Sequence, residues 1–81
     1  MIKVGQIWQN PQNKTDTIAI TSIDKRAGRK QSDWLFSYIW NDGETVCADD
    51  DFFIKRSRKL IAEYPTWQEA VNSKEFKVGG K

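Results

Sequence analysis

The sequence predicts a mainly β fold: four to five short antiparallel strands bent into a small barrel or roll, followed by a short C-terminal α-helix. Three observations carry that prediction. Residues 33–41 read Asp-Trp-Leu-Phe-Ser-Tyr-Ile-Trp-Asn, with a ring at every second position. Side chains alternate faces along a strand, so Trp34, Phe36, Tyr38 and Trp40 share one side and Leu35, Ser37 and Ile39 the other. A helix would scatter the four rings around its circumference. The second observation is Thr15 to Ile23, a run rich in β-branched residues. The third is Asn41-Asp42-Gly43-Glu44, a turn signal between two strand-like segments.

The elements follow in order. Val4, Ile7 and Trp8, grouped around Gly5, predict a first strand over residues 4–9. Asn10-Pro11-Gln12-Asn13 is a turn, since proline removes a backbone donor and asparagine tolerates left-handed backbone. The second strand covers residues 15–23, with Ile18 and Ile20 on one face and Ala19, Thr21 and Ile23 on the other. Asp24 to Ser32 (DKRAGRKQS) is polar, basic and centred on Gly28, an exposed hairpin loop. After the aromatic strand, Asp42-Gly43 favours a primed two-residue turn, and residues 44–48 return against residues 35–40. Asp49-Asp50-Asp51 breaks the sheet or caps a helical turn. Phe52-Phe53-Ile54 is a further apolar stretch, followed by basic residues and Leu60-Ile61.

Thr66 fits a helix N-cap, and Glu69 three residues later completes a capping box. Trp67, Ala70 and Val71 then recur at helical spacing, so residues 66–73 form a helix with one face on the domain, and Phe76 extends the contact. One domain spans residues 1–77, with 78–81 as a flexible tail. Closing the sheet into a barrel resembling the Src-homology-3 or Tudor type removes exposed edges. An open sheet covered by the C-terminal helix is the alternative.

Eighty-one residues bury roughly 60% of the surface their unfolded chain exposes, so a single core must serve. Four tryptophans, two tyrosines and four phenylalanines supply large buried area at that length. The single cysteine, Cys47, excludes an internal disulfide framework, and the absence of histidine removes the common zinc-ligand sets. No cofactor and no metal are expected. No apolar run reaches the roughly 18 residues of a membrane span, and the N-terminus enters a folded pattern directly. A cytoplasmic protein without membrane contact is the expectation.

Net charge is only +2, yet eight of the thirteen basic residues fall in two knots. One is Lys25, Arg26, Arg29 and Lys30; the other is Lys55, Arg56, Arg58 and Lys59. Basic residues neutralise phosphates and rings stack on unpaired bases, so knots beside an aromatic strand point to nucleic acid or a nucleoprotein. In that reading Trp34, Tyr38 or Trp40 stacks or anchors if exposed. The bland reading is a solvated loop and a core ladder. The alternative function is a protein-binding inhibitor or adaptor that meets a host protein through the aromatic face; the same face would serve a homodimer. Catalysis is disfavoured: there is no histidine base, Cys47 lacks a partner, and no Gly-rich phosphate loop lies between a strand and a helix. The Asp49–Asp51 triplet is the one candidate for a divalent cation, against a solvated or capping turn.

Lys3-Val4-Gly5-Gln6-Ile7-Trp8 resembles the opening strand of small phage and prophage proteins of unknown function with a Tudor-like barrel. Asp51 to Arg56 followed by Leu60-Ile61 resembles the way such chains close. The resemblance spans residues 3–61 and implies an accessory protein of a phage or mobile element that acts by binding. The aromatic ladder and the segment Tyr64 to Phe76 depart from that pattern.

Overall fold

Alternating apolar residues form five antiparallel strands in the computed structural model, which describes residues 1–78. They are β1 (Gln6–Asn10), β2 (Asn13–Asp24), β3 (Leu35–Trp40), β4 (Thr45–Asp49) and β5 (Lys59–Glu63). Three short helices follow the later strands: α1 (Asp51–Lys55), α2 (Trp67–Val71) and α3 (Lys74–Val78). The spatial order is β4-β3-β2-β1-β5, with β4 and β5 as its two edges. The sheet is therefore open rather than closed.

The reason lies in its two apolar faces. On the first, Trp40 lies opposite Ile18 and Ile18 opposite Trp8, while Tyr38 lies opposite both Ile20 and Val46. Ile54 from α1 and Ile2 from the N-terminal segment cover this face, and both are essentially fully buried with Phe36 and Tyr38. On the second face Ile7 and Ala19 pack against Ala70 of α2 and Phe76 of α3, with Ile39, Ala62, Tyr64 and Val71 around them. A barrel has one interior and so can bury only one face of each strand. Here each face has its own lid, so both are buried without rolling the sheet shut.

Local chemistry sets the element ends. Gly5 adopts φ +92°, and a Cβ there would lie 2.1 Å from the Tyr64 carbonyl oxygen, so the first strand starts at Gln6 rather than at residue 4. The Gly5 N–H donates to the Ile20 carbonyl and its carbonyl accepts from the Tyr64 N–H, both at 3.0 Å. The β3–β4 connection is not the primed two-residue turn the sequence suggests. The Trp40 N–H donates to the Glu44 carbonyl at 2.7 Å and the Gly43 N–H to the Trp40 carbonyl at 2.9 Å. This encloses three residues with Gly43 at φ +99°, the bulged hairpin in which a left-handed glycine follows an ordinary turn. Thr66 caps α2 as its sequence indicates, accepting from the Glu69 N–H at 3.2 Å. Ala70 and Val71 carry the packing of that helix, and Phe76 joins them from the separate α3. Val78, placed in a tail by the sequence reading, closes α3; residues 79–81 lie outside the described residues.

Candidate nucleic-acid interface

The second basic knot lines a groove. Lys55, Arg56, Arg58 and Lys59 run along the link from α1 to β5, and the β1–β2 turn, Asn10 to Gln12, forms the opposite wall. The groove holds about 430 Å³, and among the described residues no carboxylate lines it. Its amides and cations are the donor types that suit phosphate oxygens. Arg56 and Lys59 are exposed, while Lys55 lies 3.8 Å from Asp51 on the preceding turn.

Arg58 differs from its neighbours because it is built into the fold. Its Nη2 donates to Asp16 Oδ1 at 2.6 Å, its Nε to the same oxygen at 3.2 Å, and its Nη1 to the Phe53 carbonyl at 2.6 Å. Trp40 Nε1 donates to that carboxylate oxygen as well, at 3.0 Å. The Arg58 side chain is 11% exposed and that of Asp16 26%. Burial alone would raise the Asp16 carboxyl. Hydrogen bonds from Trp40 and Arg58, with the Arg58 charge behind them, outweigh burial and hold it below the ordinary aspartate value. Arg58 thus ties β2, β3 and α1 together and offers little charge to a ligand.

The first knot lies at the far end of β2. It follows Asp24, whereas the groove abuts the turn that starts β2, so the two knots occupy opposite ends of that strand. Within the loop, Arg26 pairs with Asp24 at 3.2 Å, and Lys25 Nζ lies 4.9 Å above the Trp34 ring. Arg29 and Lys30 are exposed. The loop is folded rather than extended: two single helical turns, Lys25–Ala27 and Gln31–Asp33, flank Gly28, and Trp34 Nε1 donates to the Gly28 carbonyl at 2.9 Å.

The aromatic ladder is committed to the core. Tyr38 is 3% exposed and Phe36 fully buried. Tyr38 meets Trp40 edge to face at 5.3 Å, and its hydroxyl donates to Asp49 Oδ2 at 2.6 Å. Burial first, and the Asp49 hydrogen bond second, push the Tyr38 phenol above its ordinary value. Trp34 and Trp40 are half-buried against the same cluster, with their indole N–H groups occupied. These rings fill the interior because α1 folds back over them, so Tyr38 cannot serve as a stacking surface.

The exposed rings lie elsewhere. Phe52 is 61% and Phe53 47% exposed on α1, with centroids 6.0 Å apart and planes at 79°. The Arg56 guanidinium carbon lies 5.9 Å from the Phe52 centroid. The signal for this pair was present in the chain. Asp50 caps α1 by accepting from the Phe53 N–H at 3.3 Å, and a single capped turn turns only Ile54 inward. The cap starts the turn at Asp51, and with Ile54 as its inward residue both phenylalanines are left on the outside.

The acidic triplet is consumed structurally. Asp49 accepts from Tyr38 and from the Asp50 N–H, Asp50 caps α1, and Asp51 faces Lys55. Among the described residues no three histidine, cysteine, aspartate or glutamate side chains gather as a metal-holding group. Cys47 is exposed on the edge strand β4. Among the described residues no helix is long and apolar enough to cross a membrane. In comparisons with known proteins, no family model, no curated protein and no solved structure matches this chain.

Proposed function

We propose that this chain is a non-enzymatic binding module that holds nucleic acid in the groove between the β1–β2 turn and the Lys55–Lys59 segment. The observation that carries the reading is the lining itself: Lys55, Arg56 and Lys59 with two amides, held in place by an Arg58 already paired with Asp16. In a protein of net charge +2, such a concentration produces a local positive field that the total charge conceals. The long β2, bulged between Ile20 and Ser22 and paired on both sides, supports a partly rolled sheet of the Src-homology-3 or Tudor kind as its platform.

Lys55, Arg56 and Lys59 supply the phosphate contacts, while Arg58 holds the groove's shape. Three contacts give a salt slope of about −2 for single strands and about −2.7 for duplex. Raising salt from 50 to 200 mM then weakens binding roughly 20-fold or 40-fold respectively. Fluorescence polarisation with labelled oligonucleotides at those two salt concentrations tests this. Replacing Lys55, Arg56 and Lys59 together by glutamine should abolish the slope, and salt-independent binding would overturn the reading. Glutamine at Arg29 and Lys30 tests whether a bound strand also reaches the far end of β2.

A protein partner is the second reading, and its support has moved from the aromatic face to an edge. Leu60 and Ile61 are exposed on β5, whose outer side is unpaired within the sheet. An added strand there is the recognition mode such an edge suits. Nucleic-acid binding unaffected by the triple glutamine change would favour it.

A further inference from the structure

We infer that the groove takes single-stranded nucleic acid, with an unpaired base stacked on Phe52; this rests on the reading of the groove given above. The first support is placement. Phe52 and Phe53 stand on the same helical turn as Lys55 and adjoin Arg56, both of which line the groove. The second is that these rings are not needed by the interior. Ile54 is the α1 residue that fills the core, and it is completely buried while Phe52 is 61% exposed. With the core filled, the large rings left most exposed among the described residues are Phe52 and Phe53.

The geometry discriminates between strand types. A duplex keeps its base faces stacked on one another, and offering one to a ring requires unstacking. An unpaired base has both faces available, and stacking tolerates any base because each has a π face. The two rings stand at 79°, so a base lying flat on Phe52 is nearly perpendicular to Phe53 and finds no second parallel face there. That arrangement makes an L-shaped seat for one base. Arg56 lies over the Phe52 ring, 5.9 Å from its centroid, so its positive charge stands on one face of the ring and the base takes the other, with its phosphate running toward the groove.

The test uses the full chain and two fluorescein-labelled probes, an eight-nucleotide single strand containing 2-aminopurine and a matched hairpin duplex, both at 50 mM salt. The wild type should bind the single strand at least about tenfold more tightly and alter the 2-aminopurine emission, as stacking does. Phe52→Ala should lose roughly tenfold on the single strand and nothing on the duplex. Phe52→Tyr should restore it, while Phe52→Leu, apolar but without a π face, should behave like alanine. Thermal melts should show all three variants folded, because the side chain is mostly exposed. Equal affinity for both probes, or wild-type binding by Phe52→Leu, would overturn the stacking inference while the salt slope keeps the groove reading intact. Loss of all salt-dependent binding in the wild type would overturn both.

Discussion

Replacing Arg58 by methionine should cost this protein stability rather than ligand charge. The side chain is 11% exposed, and it donates to Asp16 twice and to the Phe53 carbonyl once. Exposed ion pairs contribute about 0–1 kcal/mol, whereas removing one partner of a fully buried pair costs about 3–5 kcal/mol. Asp16 is 26% exposed, which places this pair between the two regimes, at about 2 kcal/mol for Arg58→Met. In a domain of this size that is a fall in Tm of roughly 8–16 °C. Methionine keeps the aliphatic stem, so the loss reports the guanidinium rather than packing. Asp16→Asn keeps an acceptor for the Trp40 indole and should cost less, about 1 kcal/mol. The double variant should fall short of the sum by about 1 kcal/mol, since both singles break the same contact. The assay is thermal and urea unfolding of the four proteins, followed by circular dichroism. Strictly additive losses, or a fall of under about 2 °C for Arg58→Met, would refute the clamp. So would a flattened salt slope in a variant that remains folded.

Further outcomes concern backbone, core and acid. Gly5→Ala should abolish stable folding, because φ +92° and a Cβ 2.1 Å from the Tyr64 carbonyl leave no space for the methyl; Gly43→Ala, at φ +99° but in open space, should cost only about 1–2 kcal/mol in the same melts. Ile54→Ala should cost about 2–5 kcal/mol by urea unfolding, since it opens a cavity between α1 and the sheet, whereas Phe52→Ala should stay within about 0.5 kcal/mol. The Asp16 carboxyl is held below its ordinary value in the folded state, so its contribution is complete above pH of about 4 and disappears as pH falls through the lowered folded value. Acid unfolding of Asp16→Asn should therefore lack the part of the transition below about pH 4 that the wild type shows.

How much of this was legible in the chain depends on how local each signal is. The Thr66 cap needs only Glu69, three residues away, and it forms as read. The aspartate triplet reads as a sheet break or a helical cap, and Asp50 provides the cap within one turn. The turn at Asp42-Gly43 was located correctly, but its type depends on whether Asn41 joins the loop, which is fixed by the pairing of Trp40 with Glu44. Gly5 looked like part of a strand because its constraint is a carbonyl 59 positions further along the chain, at Tyr64. The fate of the ladder was least legible. The alternation of Trp34 to Trp40 identifies a strand and a face, and nothing within those residues says which element lies over it. Ile54 and Ile2 decide that, and with them whether the sheet closes. Covering the ladder removed Tyr38 from the candidate surface and left Phe52 and Phe53 as the exposed rings.

The position of β5 beside β1 sets the order in which this chain can be completed. The first four strands join through neighbouring hairpins, so a polypeptide emerging from the ribosome can pair residues 6–49 as soon as they are free. Until residues 59–78 arrive, Ile7, Ala19 and Ile39 face solvent on one side, and β1 presents an open row of backbone donors and acceptors at Gln6 to Gln9. That interval is a window for aggregation, closed by contacts distant in sequence, such as Ile7 with Ala62. The clasp of Tyr64 onto Gly5 fastens the end of that late strand, and its geometry admits no side chain because the late-arriving strand must seat flush against the earliest one.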